Sequence, residues 1–289
     1  MIREATDCID AGSEFCPCKL AETGECIICS QMHGKCFCDC SNWKGVCIYQ
    51  EFFNNGMKAK KGRDKYSSKI LSIDNYKNDL LLIKLDVPHK LSLQLINPGS
   101  YIFVCPDENM YFDTPISILE SDSDKNIITL AVEVRGIKTK KLLDFKEEDK
   151  INIRAPYWNG VFGIKNIEKQ NGTNCLVLGK GIGLAPMIPV IRRLKLQDCN
   201  VSVGIDYSSL DKEFIDEFIS KYDTKNNEIN LLDKGELTKE CKKLIKDSLD
   251  SGTNYIHTAG ADILSLKVIE FLECFTIAEQ TETQSKSIV

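Results

Sequence analysis

Short runs that alternate apolar and polar residues fill residues 66–165 and predict β-strands. The predicted strands are 68–73, 80–85, 101–104, 111–119, 127–134 and 150–153. Turn residues such as Asn97-Pro98-Gly99 separate the strands, and several short strands at this spacing are typical of a small antiparallel barrel. A helical stretch at 139–145 lies between the last two strands.

From residue 174 onward the pattern changes to buried strands that alternate with helices. The predicted strands are 175–178, 201–205, 228–232 and 255–258, and the helices that follow them end near residues 194, 222, 250 and 274. This alternation predicts a parallel, doubly wound sheet. The predicted fold class is therefore an antiparallel barrel followed by an α/β domain, with a cysteine-rich N-terminal extension.

The residue pattern along the chain predicts four segments. Residues 1–65 contain few periodic apolar positions and form a cysteine-rich segment that ends in a linker. Residues 66–165 form the barrel, 166–278 form the α/β domain, and 279–289 form a polar tail.

Charge and hydropathy limit the partners of the chain. Its 289 residues carry a net charge of -5, which argues against nucleic acid as the main partner. No apolar stretch approaches the ~20 residues of a membrane span, so we expect no membrane insertion. The first residues lack the apolar core of a signal peptide, and the expected location is the cytoplasm.

Cysteines dominate the N-terminal segment, which holds nine of the 14 within its first 47 residues. Thiols stay reduced in the cytoplasm, so this density indicates metal or redox chemistry rather than disulfides. A zinc ion or an iron–sulfur cluster is one reading, and free structural or redox-labile thiols are the other. The predicted metal ligands are Cys16, Cys18, Cys26, Cys29, Cys36, Cys38, Cys40 and Cys47.

A glycine turn follows the first strand of the α/β domain. Gly179, Gly181 and Gly183 precede an apolar helix that has Pro186 in its first turn. Glycines allow backbone N–H groups to approach a pyrophosphate, and the helix N-terminus supplies further donors. The pattern therefore predicts dinucleotide binding, and the alternative is an ordinary strand-to-helix turn.

A barrel followed by a Gly-x-Gly-x-Gly-x-Ala-Pro domain resembles the ferredoxin–NAD(P) reductase superfamily over about residues 66–275. Within it, the chain is most similar to the electron-transfer subunits of dihydroorotate and sulfide dehydrogenases. The resemblance implies FAD on the barrel, NAD(P)H on the second domain, and hydride transfer from nicotinamide to flavin. It also implies that a ferredoxin-like iron–sulfur protein or a partner dehydrogenase subunit exchanges electrons with the flavin.

The resemblance assigns two barrel segments to FAD. The first is Thr114-Pro115-Ile116-Ser117, in which Ser117 would lie beside the flavin N5 and is the residue assigned to catalysis. Thr114 stands where the family has an arginine that pairs with the pyrophosphate. The second segment comprises Arg135, Gly136, Lys138 and Thr139, and Arg135 or Lys138 would supply the missing positive charge.

The resemblance assigns a second set of residues to the nicotinamide cofactor: Gly179, Gly181, Gly183, Pro186, Asp206 and Gly260. An acidic residue after the second strand, here Asp206, favours a ribose 2′-hydroxyl and hence NADH. The chain lacks the C-terminal Cys-Gly-x-Gly-x-Cys cluster motif that this family usually has. The favoured function is therefore an FAD-dependent NAD(P)H oxidoreductase. The alternative is a non-catalytic relative whose cysteine-rich segment senses metal or redox state, or docks a partner.

Overall fold

A computed structural model describes residues 8, 10–11, 13–38, 46–77, 79–106, 113–208 and 210–286. The chain divides into two compact units, Met1–Lys65 and Tyr66–Val289.

The first unit contains little regular structure. Helix α1 spans Lys19–Glu22, a 3₁₀ turn spans Gln31–His33, and helix α2 spans Ile48–Asn54. Its buried apolar residues, among those described, are Cys16, Ala21, Ile48 and Phe52. An ion pair helps to close the unit, with Arg63 Nη2 2.6 Å from Asp10 Oδ1.

The second unit begins with a closed six-stranded barrel, as predicted. Its strands are β1 Lys65–Tyr76, β2 Leu80–Asp86, β3 Tyr101–Cys105, β4 Thr114–Asp122, β5 Ile127–Glu133 and β6 Lys150–Tyr157. Their order around the barrel is β1-β2-β5-β4-β3-β6, and every pairing described is antiparallel. Helix α3 spans His89–Gln94, and helix α4 spans Ile137–Lys140 before a 3₁₀ turn, Lys141–Asp144.

Strand pleating decides which barrel residues can meet a ligand. Ile102 and Val104 of β3 are buried in the barrel core, opposite Ile116 and Thr114 of β4. Successive side chains of a strand point to opposite faces. Pro115 and Ser117 therefore lie on the outer face of the barrel.

The barrel is followed by helix α5, Ile164–Glu168, and by the α/β half of the unit. Its long elements are β7 Asn174–Lys180, α6 Leu184–Lys195, β8 Asn200–Asp206, α7 Lys212–Ile219, β9 Lys225–Glu228, α8 Lys239–Asp250, β12 Thr253–Ala259 and α9 Asp262–Lys286. A short ribbon pairs β10 Leu232–Asp233 with β11 Glu236–Leu237. The main sheet is parallel, in the order β12-β7-β8-β9.

Separate hydrophobic clusters cover the two faces of this sheet, which confirms the doubly wound arrangement. Residues of α6 and α7 pack on one face, and residues of α8 and α9 pack on the other.

Two elements differ from the prediction. Strand β9 is the polar stretch Lys225–Glu228 rather than 228–232, because an edge strand needs no continuous apolar run, and Leu231 is buried in the loop after it. Helix α9 continues to Lys286 and so includes most of the segment predicted as a polar tail.

The barrel and the α/β half share one hydrophobic core. Leu119 of β4 belongs to the same buried cluster as Phe214 of α7, and the Tyr76 ring meets Phe214 edge to face at 5.1 Å. At the surface, Lys221 donates to both carboxylate oxygens of Glu120 at 2.9 and 3.0 Å. A continuous apolar interface of this kind opposes relative domain motion.

Candidate functional site

The strand order creates a crevice beyond the C-terminal ends of β7 and β12. The chain leaves β7 toward β8 on one side of the sheet, whereas β12 pairs with β7 on the other side. Ligands of open α/β sheets bind at such a switch point. The glycine turn after β7 and the Ala259-Gly260 turn after β12 line this crevice.

Each of the three positions in the turn requires glycine for a different structural reason. A Cβ atom on Gly183 would lie 2.5 Å from the Cα and N atoms of Gly260, and one on Gly179 would lie 2.5 Å from the Sδ atom of Met187. Gly181 has φ +57°, and a Cβ built there would meet no atom of the described residues within 4 Å. Gly179 and Gly183 thus permit close packing, while Gly181 leaves open backbone where a pyrophosphate could approach.

Helix α6 presents its N-terminus to this crevice. Gly183 precedes the helix, and no side chain in the described part of the molecule caps the first turn. A 3₁₀ turn, Gly181–Gly183, runs directly into the helix, and its Gly181 and Ile182 carbonyls accept the N–H groups at the start of α6. The N–H groups that an anion could reach are therefore those of the 3₁₀ turn itself. Pro186 is the third helical residue, where the missing N–H costs no intrahelical hydrogen bond.

Asp206, at the end of β8, joins three loops at this edge of the sheet. Its Oδ2 atom accepts from Lys180 Nζ at 2.5 Å and from the Leu231 N–H at 2.8 Å. Its Oδ1 atom accepts from the N–H and the hydroxyl of Ser208, both at 3.0 Å. Burial raises the pKa of Asp206, but the hydrogen bonds from Lys180 and Leu231 outweigh it and hold this pKa below its ordinary value.

A cavity of about 290 Å³ opens beside Asp206, at the C-terminal ends of β8 and β9. Its polar lining includes Asp206, Tyr207, Ser208, Glu228, Asn230 and Glu240. Lys212 pairs with Glu228, and Tyr207 donates to Asp216. Burial, reinforced by that hydrogen bond, raises the pKa of Tyr207, so its hydroxyl stays protonated at neutral pH.

His257 of β12 is a buried neutral group close to the Gly260 turn. Its exposure is 9%, and burial lowers its pKa to about 4. The Tyr255 hydroxyl lies 3.3 Å from its Nδ1 atom. An imidazole held neutral in this way leaves the crevice without an added positive charge at pH 7.

The first segment assigned to FAD divides between the two faces of the barrel. Thr114 and Ile116 are buried on the inner face, and the Thr114 hydroxyl has no hydrogen-bond partner in the described part of the chain. Pro115 is exposed and Ser117 is half-buried on the outer face. The contacts of these four residues with a flavin stay a prediction.

Beside them, the outer faces of β3 and β6 carry an aromatic surface. Pro115 pairs with Phe103 and Ser117 with Tyr101. The Tyr101 and Tyr157 rings stack at 5.1 Å, and the Arg154 guanidinium lies 4.8 Å from the centre of the Phe103 ring. A planar ring system could stack on such a surface.

The second segment assigned to FAD forms a tight turn into α4. Thr139 Oγ1 accepts from the N–H groups of Arg135 and Gly136 at 3.1 and 3.2 Å. In the described part of the chain, a Cβ on Gly136 would meet nothing within 4 Å, which leaves room for a ligand. Arg135 pairs with Glu133 at 2.5 Å on the surface, and surface pairs of this kind are weak enough to exchange partners.

The predicted metal ligands are spread through the first unit. Cys16 is buried; Cys18, Cys26 and Cys29 are half-buried; Cys36, Cys38 and Cys47 are exposed; Cys40 lies outside the described residues. Cys26 and Cys29 form a tight turn in which the Cys29 N–H donates to Cys26 Sγ at 3.3 Å. Among the residues that the structure describes, no three histidine, cysteine or acidic side chains meet as a metal site requires. The metal site therefore stays a prediction.

Within the described ranges, no helix has both the length and the apolar character needed to cross a membrane.

Sequence reasoning missed Lys180 as part of the candidate site. Lys180 ends β7 and Asp206 ends β8, and the two residues are direct partners in the parallel register. The available signal was a basic and an acidic residue at the ends of two adjacent predicted strands. Equivalent ends of parallel strands meet at one edge of a sheet.

Comparison with known proteins agrees with this architecture. No protein-family model matches the chain. It is 28% identical over 108 residues to the electron transfer subunit of dihydroorotate dehydrogenase B (NAD(+)) from Caldanaerobacter subterraneus subsp. tengcongensis, a match that covers 37% of this chain and 40% of that protein. The subunit of the same name from Bacillus mycoides is 28% identical over 126 residues, or 43% of this chain and 48% of that protein. The chain thus spans less than half the length of the curated relatives it matches.

Two solved structures extend the likeness to the fold. Ferredoxin-NADP+ reductase from Plasmodium falciparum, solved with 2′P-AMP, has a TM-score of 0.54 at 18% identity and covers 73% of this chain and 93% of its own. An NADH-dependent reduced ferredoxin-NADP oxidoreductase has a TM-score of 0.50 at 18% identity and covers 69% of each chain. The predicted resemblance is confirmed: this chain has the fold of the ferredoxin–NAD(P) reductase superfamily.

Proposed function

We propose that the chain is a flavin-dependent NAD(P)H oxidoreductase that exchanges electrons with an iron–sulfur protein or a partner dehydrogenase subunit. The observation that carries this proposal is the open Gly181 backbone at the switch point, where the 3₁₀ turn that leads into α6 begins without a side-chain cap. These groups suit a pyrophosphate, because they offer N–H donors and a positive dipole end without a side chain in the way.

The outer barrel face is the proposed flavin site. Ser117 and the aromatic surface next to it would hold the isoalloxazine ring of FAD. The Gly136 turn would receive the pyrophosphate of FAD. Arg135, once released from Glu133, would supply positive charge there. Bound FAD would accept a hydride from the nicotinamide and pass the electrons on singly.

Of the two nicotinamide cofactors, we expect the cavity beside Asp206 to favour NADH over NADPH. Its lining carries three carboxylates, those of Asp206, Glu228 and Glu240. Lys180 and Lys212 are already paired with two of these carboxylates, those of Asp206 and Glu228. A 2′-phosphate would meet net negative charge in this cavity, whereas a ribose hydroxyl would not.

A direct test is electron transfer by the full chain loaded with FAD. We expect NADH to reduce ferricyanide with a higher kcat/KM than NADPH, and Glu228→Gln to narrow that difference because it removes one carboxylate. Equal kcat/KM values for the two nucleotides would refute the NADH preference. An FAD-loaded protein that oxidises neither nucleotide would refute the enzyme proposal.

The non-catalytic alternative has one specific observation in its favour. Thr114 is buried on the inner barrel face, so its segment brings no positive charge to a flavin pyrophosphate. Failure of the full chain to take up FAD, together with unchanged folding, would favour this alternative.

The cysteine-rich unit is proposed to bind zinc or an iron–sulfur cluster. The Cys26–Cys29 turn supports this, because two cysteines at Cys-x-x-Cys spacing in a tight turn are a common source of metal ligands. We expect metal analysis of anaerobically purified protein to find zinc or iron, and Cys26→Ser with Cys29→Ser to release it. Cys274→Ser is the matched control, since Cys274 is an exposed cysteine of the other unit. A metal-free wild type that is stably folded would contradict the proposal.

Location of the protein in the cytoplasm stays a prediction.

A further inference from the structure

The Asp206 carboxylate is occupied by the protein itself. Its side chain is 2% exposed, and its two oxygens accept four hydrogen bonds from Lys180, Leu231 and Ser208. An ionised carboxylate has about four acceptor positions. Asp206 therefore lacks the free acceptor that a direct contact with a ribose hydroxyl requires.

Lys180 is held in the middle of the glycine turn. It follows Gly179 and precedes Gly181, and its side chain is 28% exposed. An unpaired lysine samples many rotamers, and its backbone would share the flexibility of the adjoining glycines. The ion pair with Asp206 fixes the residue immediately before the open Gly181 backbone.

The same carboxylate also orders the two loops beyond β8 and β9. Ser208 belongs to the loop after β8, and Leu231 follows Asn230 in the loop after β9. Both loops line the 290 Å³ cavity. The buried Asp206 carboxylate thus holds the glycine turn and the two cavity loops in fixed positions relative to one another.

We propose that Lys180 and Asp206 are positioning residues for the dinucleotide pyrophosphate, and that Asp206 acts through Lys180 and the loops rather than by contact with the ribose. This inference rests on the proposed NAD(P)H function. Removing one partner of a buried pair leaves an uncompensated charge, so the turn should loosen whichever residue is replaced.

The first test compares NADH with its analogue that lacks the adenosine 2′-hydroxyl, by calorimetric titration of the FAD-loaded chain. Asp206→Asn preserves the shape of the side chain but removes the ion pair. We expect the wild type to bind the two ligands within about twofold, because no charge-assisted contact with the hydroxyl is made. We expect Asp206→Asn to lower the affinity for both ligands by the same factor, on the order of tenfold.

A direct ribose contact predicts a different result. The wild type would then prefer NADH over the analogue by about tenfold or more, and Asp206→Asn would abolish the preference while leaving the affinity for the analogue unchanged. That pattern would overturn the positioning role and leave the NAD(P)H function intact. If the wild type binds neither ligand, the proposed function fails and this inference fails with it.

A double-mutant cycle separates positioning from general damage to the fold. We expect Lys180→Met and Asp206→Asn together to weaken NADH binding by less than the sum of the two single losses, and Lys180→Arg to retain most of the affinity. Additive losses would overturn the coupling. The control is Lys221→Met, which removes an ion pair with Glu120 in the same unit and should leave NADH affinity unchanged.

Discussion

Alanine substitutions in the glycine turn should separate packing from ligand binding. At Gly183 the new methyl group would overlap the Gly260 backbone at 2.5 Å, so backbone atoms must move. Overpacking of this kind costs typically 1–3 kcal/mol. At Gly181 the methyl group meets none of the described residues within 4 Å, and the cost is about 1–2 kcal/mol for a non-glycine residue at φ +57°.

Gly172 provides the matched control for Gly181. Its φ is +62°, its Cβ position is also open, and it lies in the loop before β7 rather than in the turn after it. Gly172→Ala and Gly181→Ala should therefore lower the free energy of unfolding by similar amounts. Only Gly181→Ala should weaken NADH binding, by roughly 10–100-fold, because its methyl group occupies the space in which the backbone would donate to a pyrophosphate.

The assays are urea denaturation for stability and calorimetric titration with NADH for binding. Gly183→Ala should lose both stability and affinity, since the Gly260 turn moves with it. Equal NADH affinity in Gly181→Ala and the wild type would refute the pyrophosphate role of Gly181. Equal stability of Gly183→Ala and the wild type would refute the packing argument.

Two further predictions concern stability. The pKa of His257 is lowered to about 4 in the folded chain, so the unfolded chain binds the extra proton first as pH falls below about 6.5. The contribution of neutral His257 to the free energy of unfolding is therefore complete above that pH. It falls by on the order of 2–3 kcal/mol as the pH is lowered to 4. His257→Gln should remove this part of the pH dependence in urea titrations, and identical pH profiles for variant and wild type would contradict it. Leu119→Ala should destabilise residues 66–289 by about 2–5 kcal/mol in a single unfolding transition, because Leu119 is buried in the core that the barrel shares with α6 and α7. Calorimetry that resolves separate barrel and α/β transitions would refute the shared core.

The sequence predicts the local elements well where apolar periodicity is strong. For strand β3 the pattern predicts 101–104 and the structure has Tyr101–Cys105, because Ile102 and Val104 alternate with outward residues. Strand β9 was misplaced because its polar residues give no periodic signal. Pattern alone also could not show that Thr114 turns inward, since a slip of one residue reverses every side chain of a strand.

The candidate site was predictable in its backbone chemistry and less so in its side-chain pairing. The glycine spacing pointed to the turn, yet the reason for Gly183 is the Gly260 backbone, 77 residues later in the sequence. Asp206 was identified from its position after a strand, but its partner in the glycine turn depends on the strand register. Contacts of this kind follow from tertiary structure and carry no local sequence signal.

Reduction of bound flavin by NADH tests the central claim most directly. The full chain, purified and loaded with FAD without oxygen, is mixed with NADH while the visible flavin absorbance is recorded. We predict that one equivalent of NADH bleaches the flavin band, and that Gly181→Ala needs a higher NADH concentration for the same rate. A protein that binds FAD but keeps its absorbance in excess NADH and NADPH would contradict the account.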